Sequence, residues 1–525
     1  MWQSDWRDRL WTQLDKPWDV IVVGGGITGA GILRLSTHLG LRTLLVERND
    51  FAWGTSSRST KLVHGGLRYL AQGQYGVTRQ AVREREWLLK QAPGLVDPLG
   101  CLLPAYEEYS RGRWAFNIGL SAYDLMGHKW QHRYFKGDDF LMLAPHLSEK
   151  RLRGGFRYVD AVTDDARLVL RVIREAVRAG AAALNYASAD APLLDAQGRV
   201  RGVALRDRVS GLSAEVKARV VVNATGAWAD SLRGQIGAPP RVRPSRGSHL
   251  LFPYWKLPVA QAITLIHPRD GRFVFVLPWE GAVLAGTTDL DHRQPLDDEP
   301  SIDAAELDYM MTALDARFPA LRLTARDALA TFAGIRPIVG TGKGDPSKES
   351  RAHVVLDESG LVTITGGKLT TFRPMAADAL RAALLSWPGA RPSGTPCPML
   401  DPVPPHSAGD SLLDADARRR LFGRHGQDVE PLLSAAVPDE LERISGTHFL
   451  WAELRWAARD EGVVHLEDLL LRRVRLGLLL PEGGAAILER VRAIAQPELG
   501  WEDARWQSEV AAYRRLWSQA YSVPH

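Results

Sequence analysis

The segment Val20 to Glu47, VIVVGGGITGAGILRLSTHLGLRTLLVE, constrains the fold more than any other part of the chain. A β-branched run, Val20 to Val23, breaks at Gly24-Gly25-Gly26. A helical pattern opens at Ile27, and a second apolar run, Thr43 to Val46, ends on Glu47. Strand, glycine turn, helix, strand and acid in this order predict a βαβ unit built around a dinucleotide. Gly24 makes the tight turn, Gly26 lets a pyrophosphate approach the backbone, and Gly29 completes the triplet. The helix N-terminus, with Gly25, Ile27 and Thr28 on the same turn, offers free N–H donors and partial positive charge to the phosphates. Glu47 is expected to accept from ribose hydroxyls, with Arg48 beside it. A plain βα turn whose glycines serve packing is the alternative. One departure is Leu33, where the fingerprint usually has a small residue, so the helix–strand spacing should shift slightly.

The rest of the composition is that of a large globular protein. A chain of 525 residues exceeds what one core usually holds, so two or three domains are expected. Net charge is +5, from 66 basic against 61 acidic residues, too mild and too evenly spread to indicate a nucleic-acid partner. Cys101 and Cys397 are the only cysteines, which excludes a disulfide framework and a thiolate metal cluster; no metal site is expected. No apolar run approaches the roughly 20 residues of a spanning helix. The start of the chain, MWQSDWRDRLWTQL, is too charged for a secretory leader. Trp2, Trp6, Leu10 and Leu14 form a stripe on an N-terminal amphipathic helix (residues 1–18). That stripe either docks on its own domain or meets a membrane interface.

Further along, ARLVLRVIREAVRA (Ala166 to Ala179) predicts an amphipathic helix, capped by Thr163-Asp164-Asp165. Hairpin strands bracket Asp195 to Gly198, and VKARVVVNATG runs into Ala224-Thr225-Gly226. Between about Ser245 and Asp291, short β runs (HLLFP, ITLIH, RFVFVLPW, AVLAGTTD) predict an antiparallel sheet. A polar loop follows to Ser350, then the runs HVVLD and LVTITGG, and a helix opens near Thr370. The proline-rich stretch from Pro388 to Pro405 reads as a linker, and residues 406–525 are helical in pattern without a lysine.

Five blocks together carry a family likeness: the glycine fingerprint; TSSRSTKLVHGGLRYL (Thr55 to Leu70); VNATGAWAD (Val222 to Asp230); RGSHLLFP with GTTDLD; and AGIRPIVG with TITGGKLTTFRPMA. The chain resembles the FAD-dependent, quinone-linked glycerol-3-phosphate dehydrogenases, within the D-amino-acid-oxidase-like flavoproteins. The resemblance spans residues 19 to about 380, and HGGLRYL and GGKLTT are its most specific blocks. It implies non-covalent FAD, with the cofactor bound also by Thr55, Ser56, Ser57, Lys61, Leu62, His64, Gly65, Gly66, Ala224, Thr225, Gly226, Gly366, Gly367, Lys368, Leu369 and Thr370. His64 would sit beside the flavin ring, and Arg68 and Tyr69 in the substrate pocket.

Arg336 is the foremost substrate residue, because a phosphate dianion suits a planar multi-donor guanidinium. Pro337 biases it to an extended backbone. Lys368 follows two glycines that bring a helix N-terminus to the flavin edge where negative charge gathers. His249 suits a general base on chemistry, with substrate hydrogen bonding as its other role. Asp165 and Asp289 match family positions but serve as readily as cap and turn residues. The expected catalytic set is therefore His249, Arg336, Lys368 and His64.

The fold class expected is α/β, a Rossmann-like FAD-binding domain with a parallel sheet, plus an antiparallel substrate sheet and an all-α C-terminal domain. Within residues 19–390, FAD-binding parts are placed at about 19–90, 150–240 and 330–385, and substrate-binding parts at about 91–149 and 241–329; a linker (391–405) and the helical domain (406–525) follow. The resemblance implies oxidation of sn-glycerol 3-phosphate to dihydroxyacetone phosphate by hydride transfer from C2 to flavin N5. It also implies delivery of electrons to membrane quinone by a peripheral protein on the cytoplasmic face of the inner membrane, and it leaves room for a homodimer. The alternatives are a glycerophosphate oxidase that makes hydrogen peroxide, and a non-catalytic FAD-binding protein.

Overall fold

The computed structural model describes residues 2, 5–71, 73–107, 113–340, 352–387, 397–403 and 413–524, without the side chains of Arg68, Ala71 and Arg113. The polar loop before Ser350 and most of the proline-rich linker lie outside the described residues.

The βαβ unit forms as the glycine pattern dictates. Strand Trp18–Val23 leads through Gly24-Gly25-Gly26 into helix Ile27–His38 and then strand Thr43–Val46. Trp18–Val23 is the centre of a parallel sheet, between Thr43–Val46 and Ser213–Asn223; Ala182–Leu184 and Leu361–Gly366 extend it in parallel on either side. Central strands buried on both faces read as unbroken apolar runs, which is why this sheet was visible in the sequence. His353–Glu358 closes one edge antiparallel, and the hairpin Ala187–Leu194 with Val200–Asp207 pairs onto Ser213–Asn223. Leu33 is fully buried in the core below this sheet. Close approach is left to Gly29, whose added Cβ would run into the Gly24 carbonyl oxygen, and to Gly31, whose added Cβ would stand 3.0 Å from the Phe372 ring.

The second sheet is larger and mostly antiparallel. Strands Val242–Pro253, Ala282–Gly286, Phe273–Trp279 and Ala262–Ile266 form the predicted meander. Ala330–Val339 pairs along the length of Val242–Pro253. Val96–Tyr106 and Leu152–Thr163 pair over nearly their whole length, and Leu62–Val63 joins the latter. Three strands expected on the cofactor side (Leu62–Val63, Leu152–Thr163 and the start of 330–385) thus hydrogen-bond into the second sheet. Sequence segments were assigned as blocks, whereas the chain crosses between the sheets several times.

Helix Asp165–Arg178, capped by Asp164 on the Arg167 N–H, was expected to have one solvent face. Instead its arginine face is buried against the C-terminal helices. Arg167 forms a bidentate pair with Glu461 at 2.6 and 2.9 Å, and Arg174 bonds Asp428 and Asp460. Nearby, Asp50 takes both Arg472 and Arg473 at 2.7 Å. Burial pushes the Asp50 carboxyl up, but Arg473 and Arg472 hold it down at about 2. Arginines that a sequence reading assigns to water therefore join the helical domain to the rest.

The N-terminal stripe docks inward. Trp2 stacks on Phe51 at 5.2 Å, Leu14 is buried, and Arg7 bonds Asn185 and Asp207. Helix Trp6–Trp11 thus lies on its own domain, as the docking alternative for that stripe has it. The C-terminal tryptophans Trp451, Trp456, Trp501 and Trp506 are buried as well. Among the described residues no helix is long and apolar enough to cross a membrane.

Candidate active site

A cavity of about 840 Å³ runs from the glycine turn to the second sheet. Its first end is made of backbone. Gly24 has φ +111°, and a Cβ there would stand 2.6 Å from the Ala224 carbonyl oxygen. Ser56 accepts from the Ile27 N–H at 3.0 Å and so ties the Thr55-Ser56 loop to the helix start. The Glu47 carboxylate accepts from the Gly25 and Asn49 N–H groups at 2.7 and 2.9 Å. Burial raises its pKa, with these bonds opposing. Glu47 thus braces the glycine turn while still lining the cavity beside Arg48.

In the middle, strand Leu361–Gly366 ends on Gly366 and Gly367, with φ +82° and +74°, conformations open chiefly to glycine. A Cβ on Gly367 would meet the Met375 sulfur. This turn delivers Lys368, Leu369 and Thr370 to the cavity wall just before helix Phe372–Leu385. Lys368 Nζ stands 3.6 Å above the Tyr69 ring, and Gly66 leaves the space for both side chains. The HGG and GGK blocks, far apart in sequence, therefore meet face to face.

The far end is lined by side chains from the second sheet. Arg336 donates to Thr287 Oγ1 at 2.8 Å, to the Thr288 carbonyl at 3.2 Å and to Asp289 Oδ1 at 3.3 Å. Gly247 on the neighbouring strand clears room for its guanidinium. Arg272 donates to the Asp289 carbonyl at 2.9 Å, so two guanidiniums converge on one aspartate. His64 lines the same region; burial first, and then Lys368, push its pKa down to about 4, so the ring is neutral near pH 7.

Most of the expected residues line this cavity: Gly24, Gly26, Ile27, Thr28, Glu47, Arg48, Thr55, Ser56, Leu62, His64, Gly66, Tyr69, Ala224 to Gly226, Arg336 and Gly366 to Thr370. Others do not. Gly25 and Gly29 shape the turn from behind. Lys61 is fully buried in an ion pair with Asp165 at 2.8 Å, and it donates to the Ser57 carbonyl at 2.6 Å. Arg475 reaches the same carbonyl, so Lys61 and Ser57 brace the loop from below rather than face the cavity. His249 is also off the wall. It stacks on Phe332 at 4.5 Å and bonds Thr60 Oγ1 at 3.0 Å, with Thr60 between it and the cavity. Burial, then Arg336 and Lys61, push its pKa well down. His249 is thus buried behind Thr60, one hydrogen bond from the cavity. The side chain of Arg68 lies outside the described residues. Arg272, Thr264 and Asp160 on the wall were not anticipated. Arg272 opens the run RFVFVLPW, and an arginine at the mouth of a substrate-side strand was the available signal.

The shape fits FAD. Glycines keep backbone bare at Gly24 and Gly367, two helices begin at the wall, and the polar turn at Thr55-Ser56 lines it, bonded to the start of the first helix. A bare βα turn and two helix starts around one cavity are the features of a dinucleotide-binding protein. Residues 19–373 match the family model of FAD-dependent oxidoreductases, and residues 388–506 match the C-terminal domain of alpha-glycerophosphate oxidase. Glycerol-3-phosphate dehydrogenase 2 of Mycobacterium tuberculosis is 37% identical, over 97% of this chain and 89% of that protein. The aerobic glycerol-3-phosphate dehydrogenase of Staphylococcus epidermidis is 35% identical, over 89% and 88%. The crystal structure of the glycerol-3-phosphate dehydrogenase from Bacillus halodurans complexed with FAD superposes with a TM-score of 0.78 at 30% identity, covering 98% of each chain. The chain belongs to the FAD-dependent oxidoreductases and, within them, to the family of the glycerol-3-phosphate dehydrogenases.

Proposed function

We propose that this chain oxidises sn-glycerol 3-phosphate to dihydroxyacetone phosphate with non-covalently bound FAD and passes the electrons to membrane quinone. The observation that carries the substrate is the pair Arg336 and Arg272, converging on Asp289 at the end of the cavity away from the glycine turn. Two guanidiniums offer a phosphate dianion several planar donors, with Asp289 beside Arg336 and Asp270 beside Arg272 to orient them. When bound, FAD supplies the two-electron oxidation, taking at N5 the hydride that leaves C2. Thr287 holds the Arg336 guanidinium in place at the wall, where it grips the phosphate. Lys368, above Tyr69, donates to the substrate oxygen and stabilises the charge that develops there. His64 replaces His249 as the proton acceptor: a neutral ring nitrogen on the wall takes the C2 hydroxyl proton. The arriving dianion raises the His64 pKa toward the working range.

Quinone lies in the bilayer, so the enzyme docks peripherally on the cytoplasmic face of the inner membrane. Helix Arg113–Met126 supports this reading. Trp114 and Ile118 are 78% and 67% exposed on one face, joined by Leu125, Trp130 and Met142. Leu120 and Tyr123 point inward from the same helix.

The test is the visible spectrum of the FAD-loaded protein under argon. Glycerol 3-phosphate should bleach the flavin band while glycerol does not. A quinone analogue should then restore the band faster than air. Fast reoxidation by air with peroxide release makes the protein an oxidase, and an unbleached flavin refutes the substrate. Light scattering of the same sample reads whether it is a homodimer.

A further inference from the structure

At the cavity wall, where Asp160 stands, lies a buried polar cluster that the reaction above does not use. Strand Leu62–Val63 pairs antiparallel with Ala161 and Val162, which brings the His64-Gly65 turn beside Asp160. Tyr123 Oη accepts from the Gly65 N–H at 2.7 Å and donates to Asp160 Oδ1 at 2.6 Å. Arg85 Nη1 bonds the same two oxygens, Asp160 Oδ1 at 2.6 Å and Tyr123 Oη at 3.0 Å. Asp160, Tyr123 and Arg85 come from a strand and two different helices, and each is at most 4% exposed. A Cβ on Gly65 would stand 2.5 Å from Tyr123 Oη, so the glycine is what lets the phenol reach the backbone.

Burying three polar groups costs stability unless each is satisfied, and their placement here satisfies one N–H of the turn that carries His64. We propose that Tyr123, Asp160 and Arg85 form a positioning unit that fixes the Gly65 N–H and thereby aims His64 across the cavity. Tyr123 is the donor that links the carboxylate to the turn; burial first, then Asp160, keep its hydroxyl protonated far above the usual phenol range. Arg85 holds the Asp160 carboxylate in register through its bond at 2.6 Å. Tyr123 also lies on the helix whose outer face carries Trp114 and Ile118, so any shift of that helix reaches the His64 turn through one hydrogen bond.

The inference rests on the proposed reaction, in which His64 takes the hydroxyl proton. The test uses the FAD-loaded full chain as wild type, Tyr123→Phe, Asp160→Asn, His64→Ala and the double variant Tyr123→Phe/His64→Ala. FAD content and melting temperature report folding, and anaerobic flavin reduction by glycerol 3-phosphate reports turnover. Tyr123→Phe should keep its flavin and lower the maximal reduction rate about 10- to 100-fold, with the half-saturating concentration little changed, as misplacement of a reacting group does. In the His64→Ala background the same change should cost less than about threefold, because residues acting through one another are not additive. Asp160→Asn, which keeps the shape and removes the charge, should repeat the pattern. Equal losses in both backgrounds, or no loss at all, overturn the proposal. If wild type is not bleached by glycerol 3-phosphate, the proposed reaction fails separately, and the oxidised flavin spectrum then decides. Tyr123→Phe should perturb that spectrum only when His64 is present, and a spectrum superimposable on wild type overturns the positioning role.

Discussion

The two ends of the cavity are built on different principles. The cofactor end is mostly backbone: Gly24, the start of helix Ile27–His38, and the Gly366-Gly367 turn leave N–H groups and bare space where side chains would stand. The substrate end is mostly side chain: Arg272, Arg336, His64 and Lys368 come from four separate stretches and meet only because the second sheet and the glycine turns bring them together. A backbone cradle tolerates no substitution at its glycines but asks little of its neighbours' identity. A side-chain pocket tolerates much around it but depends on a few charged groups. The two ends should therefore fail in different ways.

The largest effect is expected at the cradle. Gly24→Val puts a branched side chain at φ +111° and into the Ala224 carbonyl. The variant should purify colourless, whereas wild type should be yellow and release all its FAD on acid precipitation. Circular dichroism and flavin absorbance of the same sample check this. A Gly24→Val protein with normal flavin content would break the comparison, because the cradle would then not depend on bare backbone.

The same contrast explains what could be read beforehand. The cradle is local: Val20 to Glu47 contains strand, turn, helix and acid within one stretch, so periodicity and glycine spacing expose it. Glu47 shows the limit, because sequence places an acid there but not the Gly25 and Asn49 N–H groups it also holds. The substrate sheet was legible as a meander but not in its membership. Leu152–Thr163 lies next to a cofactor-side helix in sequence and pairs instead with Val96–Tyr106. His249 and Lys61 stand off the cavity wall for a related reason. Both carry the right chemistry within the right blocks, yet strand alternation and the Asp165 ion pair turn them away from the cavity. Arg167 and Arg174 were invisible as core because nothing local tells a buried, paired arginine from a solvated one.

The substrate end should respond next, and more selectively. Arg336→Ala should keep FAD content and melting temperature close to wild type, since its bonds are to Thr287, Thr288 and Asp289 at the cavity wall. Removing the charged partner of a phosphate in a partly desolvated pocket costs about 2–5 kcal/mol, which lowers kcat/KM by roughly 30- to 5,000-fold. Steady-state assays across glycerol 3-phosphate concentrations measure it. Arg272→Ala should act in the same direction with a smaller loss, because its bond is to the Asp289 backbone carbonyl. Unchanged kinetics for Arg336→Ala would move the phosphate elsewhere in the cavity and remove the contrast between the two ends.

The smallest effect expected concerns the outer surface, where two apolar stripes differ in what they leave exposed. The N-terminal stripe has its apolar side chains already spent: Trp2 is stacked on Phe51 and Leu14 is buried, so taking them into lipid would first expose a protein core. The stripe on helix Arg113–Met126 carries no such cost, because Trp114, Ile118 and Leu125 already face water, with Trp130 just beyond. Interfacial binding follows buried apolar area, and each large side chain contributes at most about 1.5–3 kcal/mol, less when only half immersed. Trp114→Ser with Ile118→Ser should therefore weaken flotation with liposomes by about 10- to 100-fold in partition coefficient while leaving anaerobic flavin reduction by glycerol 3-phosphate intact. Quinone-analogue reduction on liposomes should fall in parallel, since only delivery to the bilayer is lost. A chain starting at Pro17 should float as well as the full-length protein, though with a lower melting temperature from the exposed Phe51 surface. If the truncated chain alone loses flotation, the N-terminal segment must leave its site on the domain to bind lipid. The packed position of Trp2 would then be only one of two states.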